Sequence, residues 1–307
     1  AILGNIHKKY PSKLYGRGLI AQEEVYEFQT AYPYEHEKMN EYLKVISKKL
    51  NEIFKTKAYK IPVLPDVITH DVVKNTLNNI ETIPVGIKKD TLQISTINCK
   101  KDYISLVTST DVYEYSRFIN SLYKTLTYVE KQKVVIFDTL EIIKNQIPNT
   151  LLVNKNYSDV ITRLNNDLVN QINLYKQNNF QNSILSNKDK VTVIIVGIEN
   201  LLSKLDMNLK GSFTNSIKEA QNLGTYNFIL IDNVDKLKNI AFEPWFKTCV
   251  DISSGVWLGS GILDQFVLKL SMSPRELRQE LKPGFGIIVE KGKPYIIKLL
   301  EGAENGK

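Results

Sequence analysis

The stretch Tyr103-Ile-Ser-Leu-Val-Thr108-Ser-Thr-Asp-Val-Tyr113-Glu-Tyr115-Ser-Arg-Phe-Ile-Asn120 decides how the chain is read. A short apolar run gives way to a few polar positions and then to apolar residues at helical spacing, which reads as a strand, a tight turn and a helix. A turn of this kind is where a phosphate-binding loop sits, because turn and helix N–H groups face an anion there. Such a loop needs glycines where the backbone closes round the phosphates, a Lys to neutralise them and a Ser or Thr to hold Mg²⁺. Laid on G-x-x-x-x-G-K-[ST], this sequence puts Thr108 and Tyr113 at the glycine positions, Glu114 at the Lys and Tyr115 at the metal-binding hydroxyl. A carboxylate repels a triphosphate and a Tyr side chain fills the space it needs, so nucleotide binding in the usual mode is expected to fail.

Outward from this unit, strands alternate with helices, the signature of an α/β sheet. Strands are expected at Ile83–Ile87, Tyr103–Thr108, Lys133–Asp138, Val191–Ile198, Tyr226–Asp232 and Gly255–Leu258. Their unbroken apolar runs suit parallel strands covered on both faces. Helices are expected at Val112–Tyr128, Tyr157–Gln177, Phe213–Leu223 and Asp264–Leu268, with an exposed loop over Asn178–Lys190. The acidic strand end that holds Mg²⁺ in a nucleotide site should lie in Val193-Ile-Ile-Val-Gly-Ile-Glu-Asn200. Gly197 and Ile198 stand there instead, and Glu199 comes one place late. Strand residues alternate faces, so a one-residue slip aims that carboxylate the other way, and Glu199 reads as a surface residue at a helix start.

The chain has 307 residues, 43% of them hydrophobic and 24% charged, the balance of a globular protein with a full-sized core. No run reaches the length of a membrane span, and the first residues lack the apolar stretch of a secretory signal. The net charge of +7 permits an acidic partner, but the lysines are dispersed in pairs such as Lys48-Lys49 and Lys88-Lys89, as on a solvated surface. Cys99 and Cys249 stand far apart with no neighbouring Cys or His, which excludes a disulfide framework and the usual zinc spacings and suits a reducing compartment. His7, His36 and His70 have no nucleophile context. Asp232 and Asp235 follow the strand Phe228–Ile231 and read as helix N-caps rather than paired carboxylates, while Trp245, Trp257, Phe242 and Phe246 read as core rather than a ligand cage, although an exposed aromatic cluster would suit a peptide groove.

Residues 14–32 alternate on either side of Gln22-Glu23-Glu24 and predict a hairpin. Met39, Leu43, Ile46, Leu50 and Ile53 predict an amphipathic helix over 36–56, ending before the extended Ile61-Pro-Val-Leu-Pro65. A second hairpin closes the chain at residues 282–300, with Lys291-Gly292 at its turn. Gly284-Phe-Gly-Ile-Ile288 in it repeats Gly16-Arg-Gly-Leu-Ile20, so the two hairpins read as closing pieces of successive, related domains.

The linked set Gly16-Arg17-Gly18-Leu19 with Phe28-Gln29, Ile83-Pro-Val-Gly-Ile87, Tyr103–Asn120, Val193–Asn200, Phe228–Ile231 and Pro283-Gly-Phe-Gly286 resembles the FtsK/SpoIIIE-type motor ATPases. It is most similar to the tandem modules of the type VII secretion coupling proteins of the EssC/EccC kind, and to the last module in particular. The resemblance implies an α/β, RecA-like P-loop NTPase fold with a mainly parallel central sheet. It divides the chain into the closing hairpin of a preceding ATPase module (1–35), a linker helix and extended connector (36–82) and a degenerate ATPase module (83–307). In these terms Thr108, Tyr113, Glu114 and Tyr115 form a degenerate Walker A motif and Gly197, Ile198 and Glu199 a degenerate Walker B. Neither ATP nor Mg²⁺ is then expected here, although other modules of the parent protein would use both. The resemblance further implies a soluble segment of a membrane-anchored bacterial protein, on the cytoplasmic side. Its partners would be secreted WXG100-type substrates and neighbouring ATPase modules rather than nucleic acid, and the full-length protein would oligomerise. Two other functions stay open. One is an active ATPase in which Glu199, Asp232 and Lys100 or Lys101 converge near Thr108; the other is a DNA translocase, motivated by the net charge.

Overall fold

The computed structural model describes residues 12–21, 24–31, 35–54, 62–73, 82–99, 101–111, 113–127, 132–143 and 150–301. The chain divides into two compact units, residues 1–61 and 62–307. In the first, β1 (Arg17–Ala21) and β2 (Val25–Gln29) pair antiparallel, with Gly18 opposite Phe28 and Ile20 opposite Tyr26. Gly16 has a φ of +77°, and its carbonyl accepts the Thr30 N–H at 2.8 Å to close the hairpin. After a 3₁₀ turn at His36–Lys38, helix α1 (Met39–Ile53) has the amphipathic pattern that its sequence requires, yet none of its residues is buried.

The second unit starts with an extended segment and a single turn, α2 (His70–Val73). Ile68 and Val73 pack there against Ile87 and Leu300, and His70 is buried with Nε2 3.0 Å from Thr125 Oγ1. In chain order follow β3 (Thr82–Lys88), β4 (Ile94–Asn98), β5 (Ile104–Ser109), α3 (Tyr113–Thr127), β6 (Gln132–Asp138), β7 (Thr150–Val153), α4 (Tyr157–Gln177), β8 (Lys190–Val196), α5 (Ile198–Ser203), α6 (Met207–Glu219), β9 (Tyr226–Asn233), α7 (Val234–Ile240), α8 (Pro244–Cys249), β10 (Gly255–Leu258), β11 (Phe285–Glu290) and β12 (Lys293–Leu299). The strands form one sheet in the order β4-β3-β12-β11-β10-β5-β9-β8-β6-β7. From β10 to β7 all neighbours run parallel, and from β10 outward to β4 they run antiparallel. Helices cover both faces of the parallel part. Ile161, Leu168, Phe213, Leu237 and Phe246 lie on one side and Phe118, Ile119, Leu122 and Leu126 of α3 on the other, which is why β5 is buried along its whole length.

The closing hairpin β11–β12 lies between β10 and β3. Its register, with Gly286 opposite Ile297 and Ile288 opposite Tyr295, reproduces that of β1–β2. Gly286 is required because a Cβ there would come within 2.7 Å of the Trp257 carbonyl oxygen of β10. Lys291 and Gly292 both have positive φ, as the expected tight turn demands.

Several expectations need correction. Strands β4 and β7 were not expected from the sequence; both lie at the sheet edges, where partial exposure breaks the apolar run. Helix α6 begins six residues before the expected Phe213, because Asp206 caps it by accepting the Leu209 N–H at 2.9 Å. Over Asp264–Leu268 only a 3₁₀ turn at Ile262–Asp264 forms, since the Gln265 side chain takes the Val267 and Leu268 N–H groups at 2.7 Å each. The expected loop at 178–190 holds a 3₁₀ turn at Asn182–Leu185 that buries Leu185. Phe242 is 77% exposed rather than core, while Trp245, Phe246 and Trp257 are buried as expected. Among the described residues, no helix is long and apolar enough to cross a membrane.

Candidate functional site

The chain leaves β5 toward β6 on one side of the sheet and later returns to β10 on the other, so the C-terminal end of β5 is a topological switch point, where open α/β sheets bind ligands. Strand β5 ends at Ser109 and α3 begins at Tyr113, which leaves only residues 110–112 for the loop. The structure therefore puts the sequence-predicted loop at this switch point.

Its polar groups bond to one another. Thr108 is fully buried opposite Asp232 in the parallel register, and its hydroxyl donates to the Asp232 carbonyl at 2.8 Å. The Ser109 hydroxyl donates to the Leu258 carbonyl at 2.8 Å and accepts the Asp111 N–H at 3.0 Å. Asn233 Nδ2 donates to the Thr110 carbonyl at 3.2 Å. Tyr115 is fully buried, and its hydroxyl donates to the Ser109 carbonyl at 3.0 Å, under the loop. Burial pushes the Tyr115 phenol well above its ordinary range, so it stays a neutral donor. Glu114 lies against the loop after β10, where a Cβ on Gly259 would be 3.9 Å from its Cγ; one of its carboxylate oxygens is buried without a hydrogen-bond partner. Tyr113 opens the helix, and its side chain lies outside the described residues.

The second predicted segment is sharper in the structure than in the sequence. Strand β8 stops at Val196, and Gly197, with a φ of +80°, turns the chain into α5, so the expected strand end at Ile198 is corrected. No side chain fits at Gly197, since a Cβ would come 2.3 Å from Thr139 Oγ1. Ile198 is fully buried in the core. The Glu199 N–H donates to Asp232 Oδ2 at 3.1 Å, while its own carboxylate pairs with Lys236 at 3.3 Å and accepts from Asn239 at 3.2 Å.

Asp232 is not the helix cap that its position after a strand suggested. It does not cap α7, because the Asn233 side chain does so by accepting the Asp235 N–H at 2.8 Å; Asp235 is not the cap either. Asp232 is 2% exposed and accepts the backbone N–H groups of Glu199 and Asn233. Burial pushes its carboxyl up to about 6, opposed by those two hydrogen bonds, with the Glu199 charge raising it further and Lys236 lowering it. Glu199 and Asp232 thus meet near Thr108, but Lys101 lies beyond the opposite end of β5 and does not join them; Lys100 lies outside the described residues. Among the described residues no group of three or more His, Cys, Asp and Glu could hold a metal ion.

No protein-family model matches the chain, and no curated protein does. Solved structures do. The cytoplasmic domain of EssC matches 95% of this chain and 59% of its own length, with a TM-score of 0.63 and 18% identity. The fold is that of an EssC/EccC-like ATPase module. EssC (ATPases 2 and 3) from Geobacillus thermodenitrificans aligns with a TM-score of 0.66 at 19% identity, over 94% of this chain and 56% of its own. Thermomonospora curvata EccC (ATPases 2 and 3), in complex with a signal sequence peptide, aligns with 0.62 at 15% identity, over 95% of this chain and 54% of its own. The EssC/EccC-like chain described here thus spans little more than half the length of these neighbours.

Proposed function

We propose that residues 83–307 are a nucleotide-free module of a type VII secretion coupling protein that works in substrate recognition or in control of neighbouring ATPase modules. The observation that carries this reading is the bonding of the loop after β5. The Asp111 N–H is taken by Ser109 Oγ, the Tyr115 hydroxyl fills the Ser109 carbonyl, and Glu114 stands at the position of the phosphate-neutralising Lys. An Asp111 N–H bonded within the loop and a carboxylate in place of the Lys leave less donor capacity and no positive charge there for a triphosphate. A neighbour of the same fold was solved with a signal sequence peptide, which supports recognition as the retained task. The shared register of β1–β2 and β11–β12 supports reading residues 1–35 as the closing hairpin of another module of this fold, with 36–82 as the linker between them. In such a parent protein the module would act on the cytoplasmic side of the membrane.

The test is calorimetric titration with Mg²⁺-ATP, beside a variant carrying Tyr113→Gly, Glu114→Lys and Tyr115→Thr. No heat of binding from the unaltered chain is expected. Saturable micromolar binding would overturn the reading in favour of an active ATPase built on Glu199 and Asp232, whose meeting near Thr108 is the observation that favours that alternative.

A further inference from the structure

A cavity of about 440 Å³ opens at the other end of β5, between the end of β4 and the starts of β5, β10 and β12. Its size is that of a small-ligand pocket. Ile97, Val256 and Ile288 supply apolar lining, with Tyr295 beside them. Three carboxylates reach it, and their states differ. Glu290 is held by Lys88 at 2.7 Å, and Lys88 also stands 4.0 Å over the Tyr295 ring. Asp251 accepts the Ser253 N–H at 2.9 Å and the Ser253 and Ser254 hydroxyls at 2.6 and 2.8 Å. Asp102 is half-buried, and its carboxylate has no hydrogen-bond or ion-pair partner among the described residues. Burial raises its pKa and the Asp251 charge adds to this, against Lys101. Lys101, Lys291 and Lys293 are exposed at the rim.

We infer that this cavity is a binding site for the lysine or arginine side chain of a peptide segment, with the cationic head on Asp102 and the aliphatic stem over Ile97, Val256 and Ile288. A half-buried carboxylate without a partner is costly, and a cation brought in by the ligand restores the missing charge at a place shielded from solvent. The stem of such a side chain is apolar for three or four carbons and matches the lining. A peptide supplies it better than a free amine because β4 is the outermost strand of the sheet and its Thr96–Asn98 end borders the cavity, so an extended segment can lie along that edge. The inference rests on the recognition reading for the role of the site. It stands or falls separately, because ATP binding would overturn that reading without altering the peptide measurement.

The test uses the full chain and fluorescence anisotropy with a labelled acetyl-Ala-Leu-Lys-Leu-Ala-amide peptide, its Glu counterpart, and spermidine as competitor. Saturable binding of the Lys peptide is expected, at least tenfold tighter than the Glu peptide. Asp102→Asn should weaken it at least tenfold, and Ser254→Trp at the rim should block it. Lys101→Ala should tighten it, a gain that a merely structural role for Asp102 would not produce. Equal binding of the Glu peptide, an unchanged affinity in both Asp102→Asn and Ser254→Trp, or spermidine binding without peptide binding would each overturn the assignment.

Discussion

At its C-terminal end β5 runs into a loop whose hydroxyls and carbonyls answer one another, and at its N-terminal end it borders a cavity in which the Asp102 carboxylate has no hydrogen bond or close ion pair among the described residues. The first end occupies the place where this architecture usually binds ligands, and its Thr108, Ser109 and Tyr115 hydroxyls are spent internally, with a buried Glu114 carboxylate oxygen left over that would repel an anion. The second has no such precedent in strand order, yet it combines concave apolar surface with a half-buried carboxylate that makes no hydrogen bond among the described residues. Binding capacity follows unsatisfied groups more closely than topology, because a ligand gains only where the protein has left something to complete.

The contrast breaks most visibly at Tyr115. Removing its ring leaves a void under the loop and an unpaired Ser109 carbonyl. Tyr115→Ala should therefore cost about 3–5 kcal/mol in denaturant unfolding. Ser105→Ala, at the cavity end, should stay within about 0.5 kcal/mol. Equal losses at the two ends would mean that the loop is no more tightly built than the cavity wall.

Asp232 gives the next effect. Its carboxyl is raised to about 6 in the folded chain, so the native state takes up a proton more readily than the unfolded one. The charged form is the penalised one. The penalty is in full force above the folded value, is relieved as pH falls through about 6, and is gone below the unfolded value of about 3.9. Its span corresponds to roughly 3 kcal/mol by linkage. Wild type should therefore gain on Asp232→Asn as the pH is lowered from 7.5 to 5, followed by unfolding midpoints of the two proteins. A difference independent of pH would show that Asp232 is not desolvated as its position requires.

Ser109→Ala should cost about 1–2 kcal/mol, since it removes a donor to the Leu258 carbonyl and the acceptor for the Asp111 N–H. Amide exchange at Asp111 should accelerate in the same variant. If it does not, that N–H was never sequestered and the loop retains an anion-facing donor.

How much of this could be read in advance divides along the same strand. β5, β6, β8 and β9 were legible because strands buried on both faces need unbroken apolar runs, and the helix after β5 was legible from its spacing. The edge strand β4, with Ser95, Thr96 and Asn98 among its five residues, carries no such run. The repeat of Gly16–Ile20 in Gly284–Ile288 predicted two alike hairpins, and in both the second glycine and the Ile keep equivalent partners, Phe28 and Tyr26 against Ile297 and Tyr295, although the second turn is one residue shorter. Thr108, Tyr115 and Glu114 were found by motif position alone. In the sequence Asp232 reads as a cap, which it is not, and its meeting with Glu199 is expected only under the active-ATPase alternative, because the pairing of β8 with β9 that brings them together is not local in sequence. The cavity joins residues nearly two hundred positions apart, from Thr96 to Tyr295, and no local pattern announces it.

Asp102→Asn should have the smallest effect on stability and is the most discriminating of these changes. The amide keeps the size of the carboxylate and removes a half-buried charge that has no partner, so unfolding should shift by only about 0.5 kcal/mol, in the stabilising direction. A residue retained for the fold loses stability when it is neutralised. One retained for a ligand gains a little stability and loses affinity, because its cost in the free protein is what the ligand relieves. A clear loss of stability would place Asp102 in an unrecognised structural contact and make the two ends of β5 alike. A slight gain, with the Lys peptide released, would fix the difference between them.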